Sequence, residues 1–83
     1  MAKEHARYIF SMGELHRKDN SIAFRNEKGS TYLPIEDTRE LYCFNEVSFN
    51  TKFLDFISKA GICIHFFNYY GFYSGTYIPK NSL

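Results

Sequence analysis

Residues 66–77 read Phe66-Phe67-Asn68-Tyr69-Tyr70-Gly71-Phe72-Tyr73-Ser74-Gly75-Thr76-Tyr77, an aromatic block interrupted by turn-forming and small polar residues. Asn and Gly tolerate positive φ angles, and aromatic rings pack well across a pleated surface. The block therefore predicts a β-hairpin. On its second strand, Phe72 and Thr76 are expected on one face and Tyr73 and Tyr77 on the other. Because both faces carry rings in so small a domain, one face should meet something other than its own core.

The aromatic block has three competing interpretations: core filling, core filling combined with a protein interface, and a stacking platform for unpaired bases. The pattern favours the first two equally. Base stacking is disfavoured, because the only basic residues that flank the block are Lys59 and Lys80. The candidates for subunit contact are the rings of the predicted hairpin, namely Tyr69, Tyr70, Phe72, Tyr73 and Tyr77.

A change of period upstream of the block predicts one helix over residues 50–60, whose apolar side chains fall three and four positions apart. Asn50 is the expected N-cap and Gly61 the expected stop, with Phe49 and Leu54 in the staple positions. Apolar runs at residues 41–44 and 62–67 predict buried strands on either side of the helix. A strand, a helix and a strand in this order indicate a crossover with the two strands in parallel.

The first forty residues alternate between short apolar runs and turn signals, as expected for strands at residues 7–10, 14–17, 21–25 and 31–35. Pro34 marks an edge strand or a strand end, because proline donates no ladder hydrogen bond. Residues 36–39 are expected to form a short turn. The predicted fold is α+β: a small, mostly antiparallel β-sheet or sandwich domain with one helix packed on the sheet.

Composition narrows the function classes. The 83 residues suffice for one small domain, and a formal net charge of +1 provides no broad positive field for nucleic acid. No apolar run approaches the roughly 18 residues that span a bilayer, and Met1-Ala2-Lys3-Glu4-His5 lacks the apolar stretch of a signal peptide. We therefore expect a cytoplasmic location and no membrane partner. The two cysteines lie in apolar runs, as is typical of buried free thiols.

The sequence offers no convergent set of catalytic or metal-binding residues. The three histidines and two cysteines lack the close-spaced pairs of tetrahedral zinc sites. The acidic residues are scattered, and no phosphate-binding loop or nucleophilic triad is visible. We predict no catalytic residue and no metal ligand in this chain. His65 stands out because it shares a strand face with Cys63 and Phe67, and a buried imidazole needs hydrogen-bond partners.

Three segments carry a family resemblance: Leu41-Tyr42-Cys43-Phe44-Asn45-Glu46-Val47, Gly61-Ile62-Cys63-Ile64-His65-Phe66-Phe67, and the hairpin that opens with Asn68-Tyr69-Tyr70-Gly71. In this order, together with the weaker segments before them, they resemble the N-terminal β-domain of the CRISPR-associated endonuclease and integrase of spacer acquisition. The resemblance covers nearly the whole chain.

The resemblance implies a two-domain protein in which residues 1–79 are the N-terminal β-rich domain and residues 80–83 begin a linker to a helical catalytic domain. That helical domain would carry the metal-binding residues and a divalent cation, Mg²⁺ or Mn²⁺, so the present chain is expected to be inactive alone. The family also implies a homodimer formed through the β-domain. Its further partners would be double-stranded DNA and the second small protein of the CRISPR adaptation complex.

The function implied by the resemblance is that of a dimerisation and scaffold module of a metal-dependent DNA endonuclease and integrase that inserts spacers into CRISPR arrays for antiviral defence. Two functions of other classes stay open from the residues alone. One is a free-standing aromatic module that binds single-stranded nucleic acid. The other is a compact metal nuclease, which the scattered acidic residues disfavour.

Overall fold

The computed structural model describes residues 5–80, which form two four-stranded sheets, one α-helix and one short 3-10 helix. The predicted linker at residues 80–83 therefore lies, apart from Lys80, outside the described residues, as does most of the N-terminal pentapeptide. The strands are β1 (Ala6–Ile9), β2 (Gly13–Lys18), β3 (Ser21–Asn26), β4 (Gly29–Pro34), β5 (Glu40–Cys43), β6 (Val47–Ser48), β7 (Cys63–Phe67) and β8 (Tyr73–Tyr77), with the 3-10 helix at Ile35–Asp37 and α1 at Thr51–Ala60.

Sheet 1 has the strand order β1-β5-β7-β8. β5 runs parallel to both β1 and β7, and β8 returns antiparallel to β7. The predicted parallel crossover from β5 to β7 is confirmed, with Leu41 opposite Ile64. Two parallel strands need a long connection between them, and helix α1 provides most of it.

Sheet 2 has the order β4-β3-β2-β6 and contains three of the strands predicted for the first half of the chain, with β2–β3 and β3–β4 paired as antiparallel hairpins. Asp19 takes a positive φ of 54° in the turn between β2 and β3, which an aspartate tolerates better than most residues. Pro34 ends the edge strand β4, as expected. The α+β class with a single helix is confirmed, and antiparallel pairing dominates sheet 2 whereas sheet 1 is mainly parallel.

The helix begins and ends where local sequence signals place it. The Asn50 side chain accepts a hydrogen bond from the Phe53 backbone N–H at 3.0 Å. Gly61 adopts the left-handed conformation at φ 75° and ends the helix. Its backbone N–H donates to the carbonyl oxygens of Ile57 and Ser58. The helix buries Phe53, Phe56 and Ile57 in the core. The helix also contacts β2, where the Arg17 guanidinium lies 4.5 Å from the centre of the Phe56 ring.

One continuous core joins both sheets and the helix. Its buried members are Ile9, Leu15, Ile22, Leu41, Cys43, Phe53, Phe56, Ile57, Ile62 and Ile64. In β1, β5 and β7 these residues alternate with side chains that point to the opposite side of sheet 1. The prediction of a fully buried strand at residues 41–44 is therefore wrong for half of its residues, because Tyr42 and Phe44 lie on the outer side and keep part of their surface exposed.

The predicted distribution of rings on β8 also needs correction. The register shifts between Phe66 and Phe67, so that Phe67 lies opposite Tyr73 instead of Ser74. Such a bulge adds one residue to a strand and reverses the side on which the next residue lies. Tyr73 consequently joins the outer side of sheet 1, while Tyr77 lies opposite Ile64 and packs against the core. The two tyrosines do not share a face.

Candidate interaction surface

The outer side of sheet 1 carries a row of aromatic residues from four neighbouring strands. We call this surface the aromatic face and define it by Tyr8, Phe10, Tyr42, Phe44, Phe67 and Tyr73, with His65 at its centre. β1 and β5 each supply one ring from within the strand and one from the residue that follows it. The period-two alternation of strands places these rings opposite the buried Ile9, Leu41, Cys43 and Ile64.

The rings of the aromatic face stand side by side across the strands. Ring centres are 5.3 Å apart for Tyr8 and Tyr42, and 4.7 Å apart for Phe44 and Phe67, with interplanar angles of 21° and 25°. These spacings are close to the separation of hydrogen-bonded strands, about 4.8 Å. The faces of adjacent rings therefore cover one another, and the ring edges point away from the sheet.

Much of this apolar surface is open. The exposed fractions are 56% for Tyr8, 70% for Phe10 and 62% for Tyr73. A contiguous exposed aromatic patch of this kind is unusual on a monomer and is typical of a binding surface. The aromatic face is therefore the strongest candidate functional site among the described residues.

A chain of hydrogen bonds crosses the centre of the aromatic face. His65 Nε2 lies 2.7 Å from Glu40 Oε1, and the Tyr42 hydroxyl donates to the same carboxylate oxygen at 3.1 Å. On its other side, His65 Nδ1 lies 3.1 Å from Thr76 Oγ1, which is also hydrogen-bonded to the Tyr73 hydroxyl. The expectation that His65 needs partners is confirmed.

These contacts change the acidity of two groups. The hydrogen bond from His65, reinforced by the one from Tyr42, holds the pKa of the Glu40 carboxyl below its ordinary value. The same Tyr42 hydrogen bond raises the pKa of the phenol, because ionised Tyr42 could no longer donate to the carboxylate. Glu40 is thus held in its charged form beside the rings.

The predicted hairpin turn forms a second exposed aromatic element, which we call the hairpin tip and define by Tyr69, Tyr70 and Phe72. The side-chain oxygen of Asn68, Oδ1, accepts hydrogen bonds from the backbone N–H of Tyr70 at 2.9 Å and of Phe72 at 3.0 Å. Gly71 supplies the required positive φ of 90°. The tip is therefore a defined loop that presents its three rings at 71%, 80% and 70% exposure.

The five residues proposed for subunit contact fall into three places. Tyr69, Tyr70 and Phe72 form the hairpin tip, and Tyr73 belongs to the aromatic face. Tyr77 packs against the core from the inner side of sheet 1, so the structure separates it from the other four. Sequence reasoning missed the remaining rings of the aromatic face, although their alternation with buried aliphatic residues in residues 7–10 and 41–44 was a readable signal.

The described residues give little support for a metal site or a reactive thiol. Within residues 5–80, no three His, Cys, Asp or Glu side chains come close enough together to hold a metal ion. Burial raises the pKa of the Cys43 thiol to about 12, which keeps it protonated and unreactive. Among the same residues, no helix has both the length and the apolar character needed to cross a membrane.

Comparison with known proteins decides the family. The model of the family described as CRISPR associated protein Cas1 matches residues 7–83. The chain belongs to the Cas1 family. The resemblance to the N-terminal β-domain of Cas1 is thereby confirmed, as are the two-sheet fold and its single helix.

Individual Cas1 relatives match the chain over most of its length. A CRISPR-associated endonuclease Cas1 from Moorella thermoacetica is 51% identical over 75 residues, which is 90% of this chain and 23% of the relative. A solved Cas1 protein from Thermotoga maritima has a TM-score of 0.89 at 43% identity and covers 92% of this chain with 24% of its own length. The chain thus spans about a quarter of the Cas1 relatives it matches.

More distant structures share the fold. A partial Cas6-RT-Cas1–Cas2 complex has a TM-score of 0.78 at 10% identity over 96% of this chain and 24% of that one. A Cas1–DNA complex has a TM-score of 0.76 at 10% identity over 92% of this chain and 30% of that one. Sequence identity at this level supports the architecture alone.

Proposed function

We propose that this domain is the dimerisation and scaffold module of a metal-dependent DNA endonuclease and integrase that inserts new spacers into CRISPR arrays. The aromatic face is the observation that carries the dimerisation role. Two copies would meet through this face and the adjoining hairpin tip, which follow one another along the chain at Phe72 and Tyr73. Tyr77 takes part only by supporting β8 from the core side.

The exposed aromatic area has the size that a specific dimer requires. The three most exposed rings of the aromatic face and the three rings of the hairpin tip are each 56% to 80% exposed. At roughly 200 Å² for each aromatic residue, they offer about 800 Å² of surface. A stable protein interface buries about 800 Å² on each partner. The same surface of a second copy therefore has the area needed to form the other half of such an interface.

The orientation of the rings favours a protein partner over unpaired bases. Base stacking requires open ring faces, whereas the rings of the aromatic face cover one another and present their edges. Edge contacts suit interdigitation with the rings of another protein surface. The same geometry weakens the alternative of a free-standing single-stranded nucleic-acid platform.

The chemistry of the whole protein is assigned to a helical domain beyond residues 80–83, following the Cas1 relatives that are named endonucleases. The described residues do not fit a divalent cation, because they contain no cluster of three metal-binding side chains. We place the Mg²⁺ or Mn²⁺ in that further domain. The isolated chain should then leave supercoiled plasmid intact in the presence of Mn²⁺.

The remaining proposed partners are those named for structures of the same fold. Because neighbours of the same fold occur in a complex with Cas2 and in a complex with DNA, we propose Cas2 and double-stranded DNA as partners of the full-length protein. A formal net charge of +1 gives the chain itself little attraction for DNA. We propose that such an assembly works in the cytoplasm.

Light scattering after size exclusion tests the dimerisation role. The double substitution Phe10→Ser and Tyr73→Ser should convert the 83-residue chain from dimer to monomer, with an unchanged circular dichroism spectrum. Tyr32→Ser is the matched control, because Tyr32 is 52% exposed but lies on β4 of the other sheet. A double variant that keeps the dimer mass would refute the proposal.

A further inference from the structure

Glu40 and His65 place an ionisable pair among the rings of the aromatic face. Their side chains are 39% and 22% exposed, so both groups retain limited contact with water. Closing a second copy over this face would remove most of that water. The charge of the pair therefore bears directly on how favourable the closure is.

We infer that self-association through the aromatic face is coupled to protonation of His65, so that the dimer tightens as the pH falls from 8 to 6. The inference rests on the proposed function, since it assigns a regulatory group to the same surface. It is carried by the 2.7 Å contact between His65 Nε2 and Glu40 Oε1 and by the stacking of His65 on the Tyr42 ring, with the ring centres 4.5 Å apart.

Charge neutrality gives the coupling its direction. With His65 neutral, each copy would bury a net negative charge at Glu40, and a twofold dimer would bring two such charges toward one another. With His65 protonated, the pair is neutral overall and its attraction strengthens as water leaves. The carboxylate stays ionised in this range, because its hydrogen bonds to His65 and Tyr42 lower its pKa. A proton taken up by His65 thus favours the dimer.

The surroundings of His65 leave Glu40 as its dominant partner. β5 brings Glu40 and Tyr42 next to the imidazole, and β8 brings the hydroxyls of Thr76 and Tyr73. Cys63 shares the strand and face of His65, where burial and the Glu40 charge raise the pKa of its thiol and keep it neutral. Arg39 lies just before β5 and acts on the Glu40 carboxylate.

The hydrogen-bond chain changes the role of the Thr76 hydroxyl when His65 takes up a proton. Neutral His65 donates from Nε2 to Glu40 and accepts at Nδ1 from the Thr76 hydroxyl, which in turn accepts from Tyr73. When a solvent proton adds at Nδ1, that nitrogen becomes a donor to Thr76. The Thr76 oxygen has two lone pairs, so it can accept from Nδ1 and from the Tyr73 hydroxyl together, and its own O–H is then free to donate to another acceptor.

Sedimentation equilibrium at pH 6, 7 and 8 tests the coupling. Each proton taken up on association changes the dissociation constant by at most about tenfold per pH unit. We expect the dissociation constant of the unmodified chain to be at least about tenfold lower at pH 6 than at pH 8. This change is well below the maximum that proton uptake by the two His65 side chains of a dimer would allow. His65→Gln and Glu40→Gln should each reduce this change to less than about twofold.

His16→Gln is the matched control, because His16 lies on β2 and should leave the full pH dependence intact. A tenfold change that survives in both His65→Gln and Glu40→Gln would overturn the inference. Loss of the dimer in the Phe10→Ser and Tyr73→Ser variant, with pH dependence retained in His65→Gln, would refute only the inference. A dimer that persists in that double variant refutes the proposed function instead.

Dilution calorimetry provides a second measurement that does not depend on the substituted chains folding well. Runs at pH 7 in two buffers of different ionisation enthalpy count the protons exchanged when the unmodified dimer dissociates. The coupling predicts proton release on dissociation. Identical heats in the two buffers would contradict it.

Discussion

Phe10→Ser separates association from folding more clearly than any other single change on the aromatic face. The Phe10 ring is 70% exposed and contacts Phe44 at 5.3 Å and Tyr8 at 6.3 Å between ring centres. Since only about 60 Å² of the residue is shielded from water, its loss should lower the free energy of unfolding of one chain by about 1.5 kcal/mol. The fold should therefore survive the substitution.

The effect on association should be much larger. About 140 Å² of the Phe10 surface is available to a partner, taking 70% of roughly 200 Å² for the residue. Covering half of that area is worth about 1.5 to 2 kcal/mol for each copy. A twofold dimer contains the substitution twice, so the total loss is about 3 kcal/mol or more. This corresponds to a dissociation constant at least about 100-fold higher.

Two measurements on the same samples test this contrast. Urea denaturation followed by circular dichroism at low concentration gives the stability of one chain, and fluorescence-detected sedimentation over a dilution series gives the dissociation constant. Tyr32→Ser supplies the control for loss of an exposed ring elsewhere. The reasoning fails if Phe10→Ser lowers the unfolding free energy by more than about 2 kcal/mol while changing the dissociation constant less than threefold.

Three further predictions concern the scaffold beneath the aromatic face. Leu41 in β5 is 0% exposed, so Leu41→Ala should lower the unfolding free energy by about 2 to 5 kcal/mol. A loss below about 1 kcal/mol in urea denaturation would contradict this prediction. Gly13→Ala would place a Cβ 2.5 Å from the Phe24 ring and 2.7 Å from the Arg25 carbonyl oxygen, so it should lower the unfolding free energy by about 1 to 3 kcal/mol. Gly75→Ala is the control: its Cβ would meet no atom within 4 Å, and the same assay should show almost no change. Asn50→Ala should cost about 1 kcal/mol through loss of the helix cap, and Asn50→Asp should restore most of it in thermal unfolding.

Local signals account for the parts of the fold that could be predicted from the sequence. The helix was readable because its period, its Asn50 cap and its Gly61 stop all lie within about a dozen residues. The parallel pairing of β5 and β7 followed from the helix between them. In each case the deciding signal lies within one contiguous stretch of the chain.

The alternation behind the aromatic face was readable, but the assembly of its rings could not be predicted, because it depends on contacts between distant parts of the chain. Tyr8 meets Tyr42 only after β1 pairs with β5, and nothing in residues 7–10 specifies that neighbour. The alternation in residues 41–44 was present, but an uncharged run looks buried on both sides until the number of layers is known. The bulge at Phe66 and Phe67 likewise depends on pairing with β8, and it moved Tyr73 away from Tyr77.

The mass of the unmodified 83-residue chain in solution tests the central claim most directly. Sedimentation equilibrium at pH 7 and about 50 μM should give twice the mass of one chain, as expected for a standard-size interface of about 800 Å² on each partner. A single species with the mass of one chain at 500 μM or more, about tenfold above that concentration, would contradict the claim that the aromatic face binds a second copy.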